Sequence, residues 1–367
     1  MKNTAPEMLT LPDGRSVKAT YPVVVSASRA TDIPAFFADW FSKRLEAGYC
    51  AWVNPFNANQ KLFVSFAKTR AFVFWSKNPK PLFQYLPQVE DRGIGYYFQF
   101  TLNDYEAENL EPGVASLEKR IETFLELSER IGSDRVIWRF DPLLIGRGLS
   151  TEGLLDKING VADRIQGATH KLVTSFADIS AYRKVQSNLG KTGGAFREMN
   201  ADEIETISSG LVDLRRRTGL VVSTCAENVD LSRYGIAHNR CVDDKLLAKL
   251  YPNDDQLMNF LGRSSQDDLF SALPTKVKKD PGQRKECGCI VSKDIGSYNT
   301  CPHLCNYCYA NSSQESVMRK FQKRNVDSEL MIGNDSEIAQ IDEQVVSNRL
   351  DFATVIPAKA GIQTDFL

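Results

Sequence analysis

From about residue 21 to residue 226 the chain repeats one pattern, a short apolar run rich in β-branched and aromatic residues followed by a longer amphipathic stretch. The runs are Val23–Ala27 (VVVSA), Tyr49–Val53 (YCAWV), Ala71–Trp75 (AFVFW), Gly95–Thr101 (GYYFQFT), Arg135–Phe140 (RVIWRF), Lys171–Phe176 (KLVTSF) and Leu220–Cys225 (LVVSTC). Another run, Cys287–Ser292 (CGCIVS), leads into a cysteine-rich loop. Runs that are continuously apolar rather than alternating belong to strands covered on both faces, as in a parallel sheet. The stretches between them carry helix signals. TDIPAFFADWFSKRLEAG opens at Asp32 beside a proline and closes at Gly48, and the stretches 113–132 and 200–219 have the same periodicity. Eight strands alternating with helices predict an α/β fold of the (β/α)8-barrel type.

Four segments follow from this pattern. Residues 1–20 read as an N-terminal extension, 21–275 as the α/β barrel, and 276–333 as a cysteine-rich segment that binds a cluster and completes the barrel. Residues 334–367 read as a disordered tail. The polar Pro/Gly stretch LPTKVKKDPGQRK (273–285) reads as a linker. The last residues, DFATVIPAKAGIQTDFL, resemble a peptide found where a dispersed genomic repeat is translated by read-through, and carry no fold information.

Composition narrows the function classes. With 42% hydrophobic residues in 367, the chain is long enough to bury a large core. Its 45 Lys and Arg against 46 Asp and Glu give no basic field that would indicate nucleic acid. The basic runs VKKDPGQRK and MRKFQKR read as solvated faces or a linker. No segment approaches the roughly 20 apolar residues of a membrane span, and no apolar leader is visible, so the expected location is the cytoplasm. Eight cysteines are too few for a disulfide scaffold, and Cys287, Cys289, Cys301, Cys305 and Cys308 crowd into one region, which suggests metal.

In an α/β barrel the loops after the strands meet on one rim, so the polar residues there are site candidates. They are Ser28, Arg29 and Asp32; Asn54 and Asn57; Ser76, Lys77 and Asn78; Asn103 and Asp104; Arg139 and Asp141; Ser175 and Asp178; Cys225, Glu227 and Asn228. Loops are polar in any case, so most of these positions need no further explanation. Arg139 and Asp141 stand apart, because period-two spacing at the end of an apolar strand aims both inward as a charge pair. Glu227, with Asn228 beside it, follows an apolar strand where no turn requires a carboxylate. Arg139, Asp141 and Glu227 are therefore the candidate catalytic residues.

Three ligand sets suit CPHLCNYCY, residues 301–309. A structural zinc site wants four ligands, with Cys305 and Cys308 as one pair and Cys287 with Cys289 or Cys301 completing it. His303 offers a Cys3His variant, though its reading here is an outer partner or an exposed group. A ferredoxin-type cluster also wants four thiolates. The third set is a 4Fe–4S cluster on three cysteines, with one iron open to a small molecule. Cys287 and Cys289, flanking a glycine, lie on one face of an expected strand and suit a second metal site or a redox thiol. Cys50, Cys225 and Cys241 read as core residues.

The spacing C-x3-C-x2-C, with Tyr307 before the last cysteine and Tyr309 after it, resembles the cluster loop of radical S-adenosylmethionine (radical SAM) enzymes. The resemblance implies that Cys301, Cys305 and Cys308 ligate three irons of a 4Fe–4S cluster and that S-adenosylmethionine chelates the fourth. It further implies reductive cleavage to a 5'-deoxyadenosyl radical, and an electron donor such as flavodoxin or ferredoxin. Tyr307 and Asn228 are the expected cofactor neighbours. Over about Val23 to Gly333 the chain resembles the DUF1848 family of bacterial proteins, through SASRATDIP, RFDPL and CGCIVSKDIGSYNTCPHLCNYCYAN. That resemblance implies a C-terminal cluster similar to the radical SAM loop and no particular reaction. The cluster loop follows the last strand instead of the first, which a cyclically closed barrel accommodates as a permutation. The other function classes weighed are a zinc-stapled α/β barrel hydrolase or isomerase, and a metal-stabilised nucleic-acid-binding module.

Overall fold

The computed structural model describes residues 7–54, 57–146, 148–263 and 277–333; the expected tail and the first part of the expected linker lie outside them. The core of the fold is a parallel sheet of eight strands flanked by helices. In chain order its strands are β1 (Val24–Ala27), β2 (Ala71–Ser76), β3 (Gly95–Thr101), β4 (Val136–Leu143), β5 (Lys171–Phe176), β6 (Val221–Thr224), β7 (Ala237–His238) and β8 (Lys293–Asp294). Their order across the sheet is β7-β6-β5-β4-β3-β2-β1-β8, so the last strand in sequence lies beside the first.

Both faces of the sheet are covered, which is why its strands are nearly unbroken apolar runs. On one face Phe72, Phe74, Tyr96, Phe98 and Trp138 join the helices in the main core. On the other, Val24, Val73, Tyr97, Ile137 and Val173 pack with Val242, Leu247, Leu257 and Ile290. The helices begin and end where their caps require. Asp32 accepts from Ala35 N at the start of Ile33–Phe36, and Ala38–Ala47 ends at Gly48 in the left-handed region (φ 78°). Asn200 and Glu203 form a capping box on Ala201–Thr218.

Two expected strands sit elsewhere. Tyr49–Asn54 joins a second, four-stranded sheet, antiparallel to Asn57–Ser65, which in turn pairs with Ser16–Thr20 of the hairpin formed with Glu7–Thr10. Its Tyr49, Ala51 and Val53 face a separate small cluster with Leu11, Ala19, Phe63 and Leu330, while Cys50 and Trp52 face the main core. Cys287–Ser292 is not a ladder strand, because its backbone bonds go to the loop at Lys278–Asp280 and to Val242; the eighth strand is the two-residue Lys293–Asp294 just beyond it. Strand β7, also two residues long, has no readable periodicity. The two sheets meet where Lys293 Nζ lies 3.1 Å from the centroid of the Trp52 ring and Trp52 Nε1 donates to Gly296 O (3.2 Å). No helix among the described residues is long and apolar enough to cross a membrane.

Candidate functional site

The cysteine loop leaves β8 and lies over the C-terminal ends of its neighbours. Its anchor is Asp294, whose carboxylate accepts from Ser26 Oγ (2.8 Å), Arg29 N (2.8 Å) and Gly296 N (2.8 Å). Ile295 N donates to Ser26 O (3.2 Å). Two glycines permit the approach: a Cβ on Gly296 would lie 1.8 Å from Ser28 Oγ, and one on Gly113 would lie 2.1 Å from Pro302 O. Within the loop, Leu304 has a positive φ (55°), and turns closed by Leu304 N to Cys301 O (3.5 Å) and Cys308 N to Cys305 O (3.1 Å) bring the three thiols into successive turns.

Burial is the leading influence on all three sulfurs. It pushes the Cys301 thiol up to about 12, with the negative charge of Asp32 adding to it, and holds Cys305 and Cys308 above the ordinary thiol range despite Lys77 nearby. The three thiols, Cys305 buried and Cys301 and Cys308 half-buried, favour the neutral form as they stand, and a metal bound there would deprotonate them outright. His303 does not join them as a fourth ligand. It is buried, its Nε2 is 2.7 Å from Asp32 Oδ2 and its Nδ1 is 3.4 Å from Gly113 O, so both ring nitrogens have protein partners. Asp32 in turn accepts from Ser76 Oγ (2.7 Å) and Lys77 N (2.7 Å), linking the loop to the end of β2. Among the described residues, no three metal-ligating side chains surround a point suited to a single ion. A three-thiolate cluster places its sulfurs on separate irons and needs no such point.

A second anchor is the buried carboxylate of Glu111. It pairs with Lys77 Nζ (2.7 Å), lies 3.6 Å from Arg120 Nη1, and accepts from Asn103 Nδ2 (2.9 Å) and from the hydroxyl of Tyr307 in the cysteine loop. Burial works against its charge, but Lys77 and Arg120 outweigh that and hold the carboxyl below its usual range. Lys77 Nζ and Asn103 Nδ2 also reach the Tyr307 hydroxyl, at 2.9 and 3.0 Å. Asn103 continues to β4, donating to Asp141 O (3.1 Å) and accepting from Asp141 N (2.8 Å). One carboxamide thus joins the cysteine loop to the rim.

The family model described as a domain of unknown function, DUF1848, matches residues 24–310, which spans the large sheet and the entire three-cysteine motif. The chain belongs to the DUF1848 family. No curated protein matches it.

In this DUF1848 protein, Arg139 and Asp141 form the inward ion pair that their spacing predicted, Nη2 to Oδ2 2.6 Å, with Arg139 5% exposed. Ser175 Oγ donates to the other oxygen of Asp141. Glu227 lies across the same end of the sheet and accepts from Phe176 N (2.9 Å). The backbone between Cys225 and Glu227 turns through Ala226 at a positive φ of 54°. Asn228 is exposed, and its side chain joins none of these contacts. Glu111, Arg120 and Asp294 escaped the sequence reading. Asp294 stands two residues before the glycine of KDIG like many a turn residue, Glu111 gains meaning only from burial with Lys77 and Tyr307 far along the chain, and Arg120 only from its burial beside Glu111.

Burial, aided by Asp178 and Asp141 and opposed by the bond from Phe176 N, pushes the Glu227 carboxyl from 4.5 up to about 8. Below 4.5 the folded and unfolded chains both carry this proton, and no penalty arises. As pH rises the unfolded chain ionises first, so stability is lost progressively until pH passes about 8. Glu227→Gln keeps an acceptor for Phe176 N and removes the titration. Urea midpoints measured from about pH 5 to about pH 9 should fall less steeply for this variant than for wild type, since the usual carboxylate range lies near 4.3. Parallel profiles would mean that Glu227 ionises normally.

Proposed function

We propose that this protein is a radical SAM-type enzyme in which Cys301, Cys305 and Cys308 hold a 4Fe–4S cluster and S-adenosylmethionine completes the coordination of the fourth iron. The observation that carries the reading is the C-x3-C-x2-C loop itself, with three free thiols, Cys305 buried and Cys301 and Cys308 half-buried, in successive turns that Tyr307, Glu111 and Asn103 tie to a polar rim. When bound, the cluster supplies the electron that cleaves S-adenosylmethionine to methionine and a 5'-deoxyadenosyl radical. The protein's own part is to hold the loop, exclude water and orient the substrate. Lys77 sets a positive charge beside the thiolates, and Glu111 fixes Lys77 in place. The Tyr307 hydroxyl braces the loop, and Tyr307 and Asn228 would be the residues neighbouring the bound cofactor. Thr31 Oγ1 and Asn311 Oδ1, buried beside the loop without a protein partner, offer polar contacts to a bound ligand.

In this reading the eight-stranded sheet is a (β/α)8 barrel permuted relative to radical SAM barrels. The site for the unknown substrate lies on the rim at Arg139, Asp141 and Glu227. Arg139 recognises an anionic or carbonyl group, and Glu227, neutral below about pH 8, donates a hydrogen bond. The electron comes from a donor such as flavodoxin or ferredoxin, which suits a reducing cytoplasm. Anaerobically purified protein should contain iron and sulfide, and with dithionite and S-adenosylmethionine it should slowly release 5'-deoxyadenosine. Absence of both iron and sulfide, or no release from fully loaded protein, overturns the proposal.

A further inference from the structure

The remaining cysteines that the sequence scattered between core and strand are gathered by the fold. Cys225 Sγ and Cys241 Sγ are 3.3 Å apart, Cys289 Sγ accepts from the backbone N–H of Val242, the residue after Cys241, and Cys241 and Cys287 are the thiols that act on Cys289 electrostatically. The four come from three separate segments: the turn after β6, the turn after β7, and the approach to β8. N–H donors converge on these sulfurs. Arg139 Nη1 donates to Cys241 Sγ (2.9 Å), Asn239 Nδ2 to Cys241 Sγ (3.4 Å), and Val242 N to Cys289 Sγ (3.3 Å). Arg29, half-buried, adds a second cation whose field acts on Cys289 and Cys241. Neutral thiols packed as small apolar groups have no use for three N–H donors, one of them a guanidinium, and a further guanidinium nearby, whereas metal thiolates are stabilised by such donors to sulfur.

We propose that Cys225, Cys241, Cys287 and Cys289 form a second metal centre, a mononuclear four-thiolate site for a zinc-type divalent ion. As they stand the sulfurs run as a string and no three of them surround one point, so the ion has to draw them together into a tetrahedron. Zinc–sulfur bonds of about 2.3 Å put neighbouring sulfurs about 3.8 Å apart, near the spacing already present between Cys225 and Cys241, while a cuboidal cluster would spread them further. The placement gives the ion a structural task. Strands β7 and β8 are the two ends of the sheet order, and the segments beside them touch where Ile290 N donates to Val242 O (3.2 Å). Metal bound here staples those two ends together.

The test uses full-length Cys305→Ser protein, which lacks a ligand of the first centre, so its outcome is independent of the radical SAM reading. Metal analysis should find about one zinc per chain, lost in the double variants Cys305→Ser/Cys225→Ser and Cys305→Ser/Cys289→Ser and retained in Cys305→Ser/Cys50→Ser. Where a serine variant fails to fold, cobalt(II) exchanged into Cys305→Ser protein decides alone, since a tetrahedral thiolate site produces intense visible and sulfur-to-metal bands. Absence of zinc and of those bands overturns the proposal, as does iron with sulfide that persists in Cys305→Ser and disappears on loss of Cys289.

Discussion

Cys305→Ser protein is expected to lose most of the iron and sulfide of the first centre and to release no 5'-deoxyadenosine above background. Two thiolates do not retain a cuboidal cluster against solvent, and loss of a mere outer partner already costs roughly 10–100-fold in metal affinity. The fall should therefore be on the order of 100-fold or more, and Cys301→Ser and Cys308→Ser should behave alike. Burial makes the effect local, because the serine hydroxyl replaces a side chain that is 8% exposed at the residue level and sits in an otherwise fixed turn. Iron retained by any of the three variants, with wild-type release of 5'-deoxyadenosine, would remove that cysteine from the ligand set.

Glu111→Leu is expected to be among the most destabilising single changes in the chain. It leaves Lys77 and Arg120, whose side chains are 13% and 2% exposed, as buried cations without their shared carboxylate. Breaking a buried ion pair from one side costs roughly 3–5 kcal/mol, and the Tyr307 hydroxyl and Asn103 carboxamide lose an acceptor as well. Urea denaturation of metal-free protein isolates this effect from cluster loss. The double variant Lys77→Met/Glu111→Leu should recover part of the loss, because it removes one of the stranded charges. A loss below about 1 kcal/mol, the range of an exposed pair, would mean that water reaches this site and that Glu111 does not anchor the loop.

The readable part of this fold was the part that depends on continuous local pattern. VVVSA, AFVFW, GYYFQFT and RVIWRF are apolar on both faces because both faces of the sheet are covered, and each is a strand of it or contributes one. YCAWV has the same composition but belongs to the second sheet, because its partner Asn57–Ser65, which begins with polar residues, decides where it pairs. The two-residue strands β7 and β8 are too short for any periodicity. At the site, the cysteine triplet was legible as local spacing, and Arg139 with Asp141 as a period-two pair. The link that joins them, Asn103 with Glu111, depends on residues about 40 and 200 positions away and has no local signature. The four-sulfur string is the extreme case. Cys225 and Cys241 each look like an ordinary core cysteine until the turns after β6 and β7 bring them to Cys289.

The central claim is that the cluster on Cys301, Cys305 and Cys308 leaves one iron for S-adenosylmethionine. Electron paramagnetic resonance of the dithionite-reduced protein, recorded with and without S-adenosylmethionine, tests it directly. A fourth iron open to the amino and carboxylate groups of S-adenosylmethionine predicts a reduced-cluster signal that shifts on addition and is absent in Cys305→Ser protein. A signal that S-adenosylmethionine leaves unchanged would mean a cluster fully ligated by the protein, and would contradict the account.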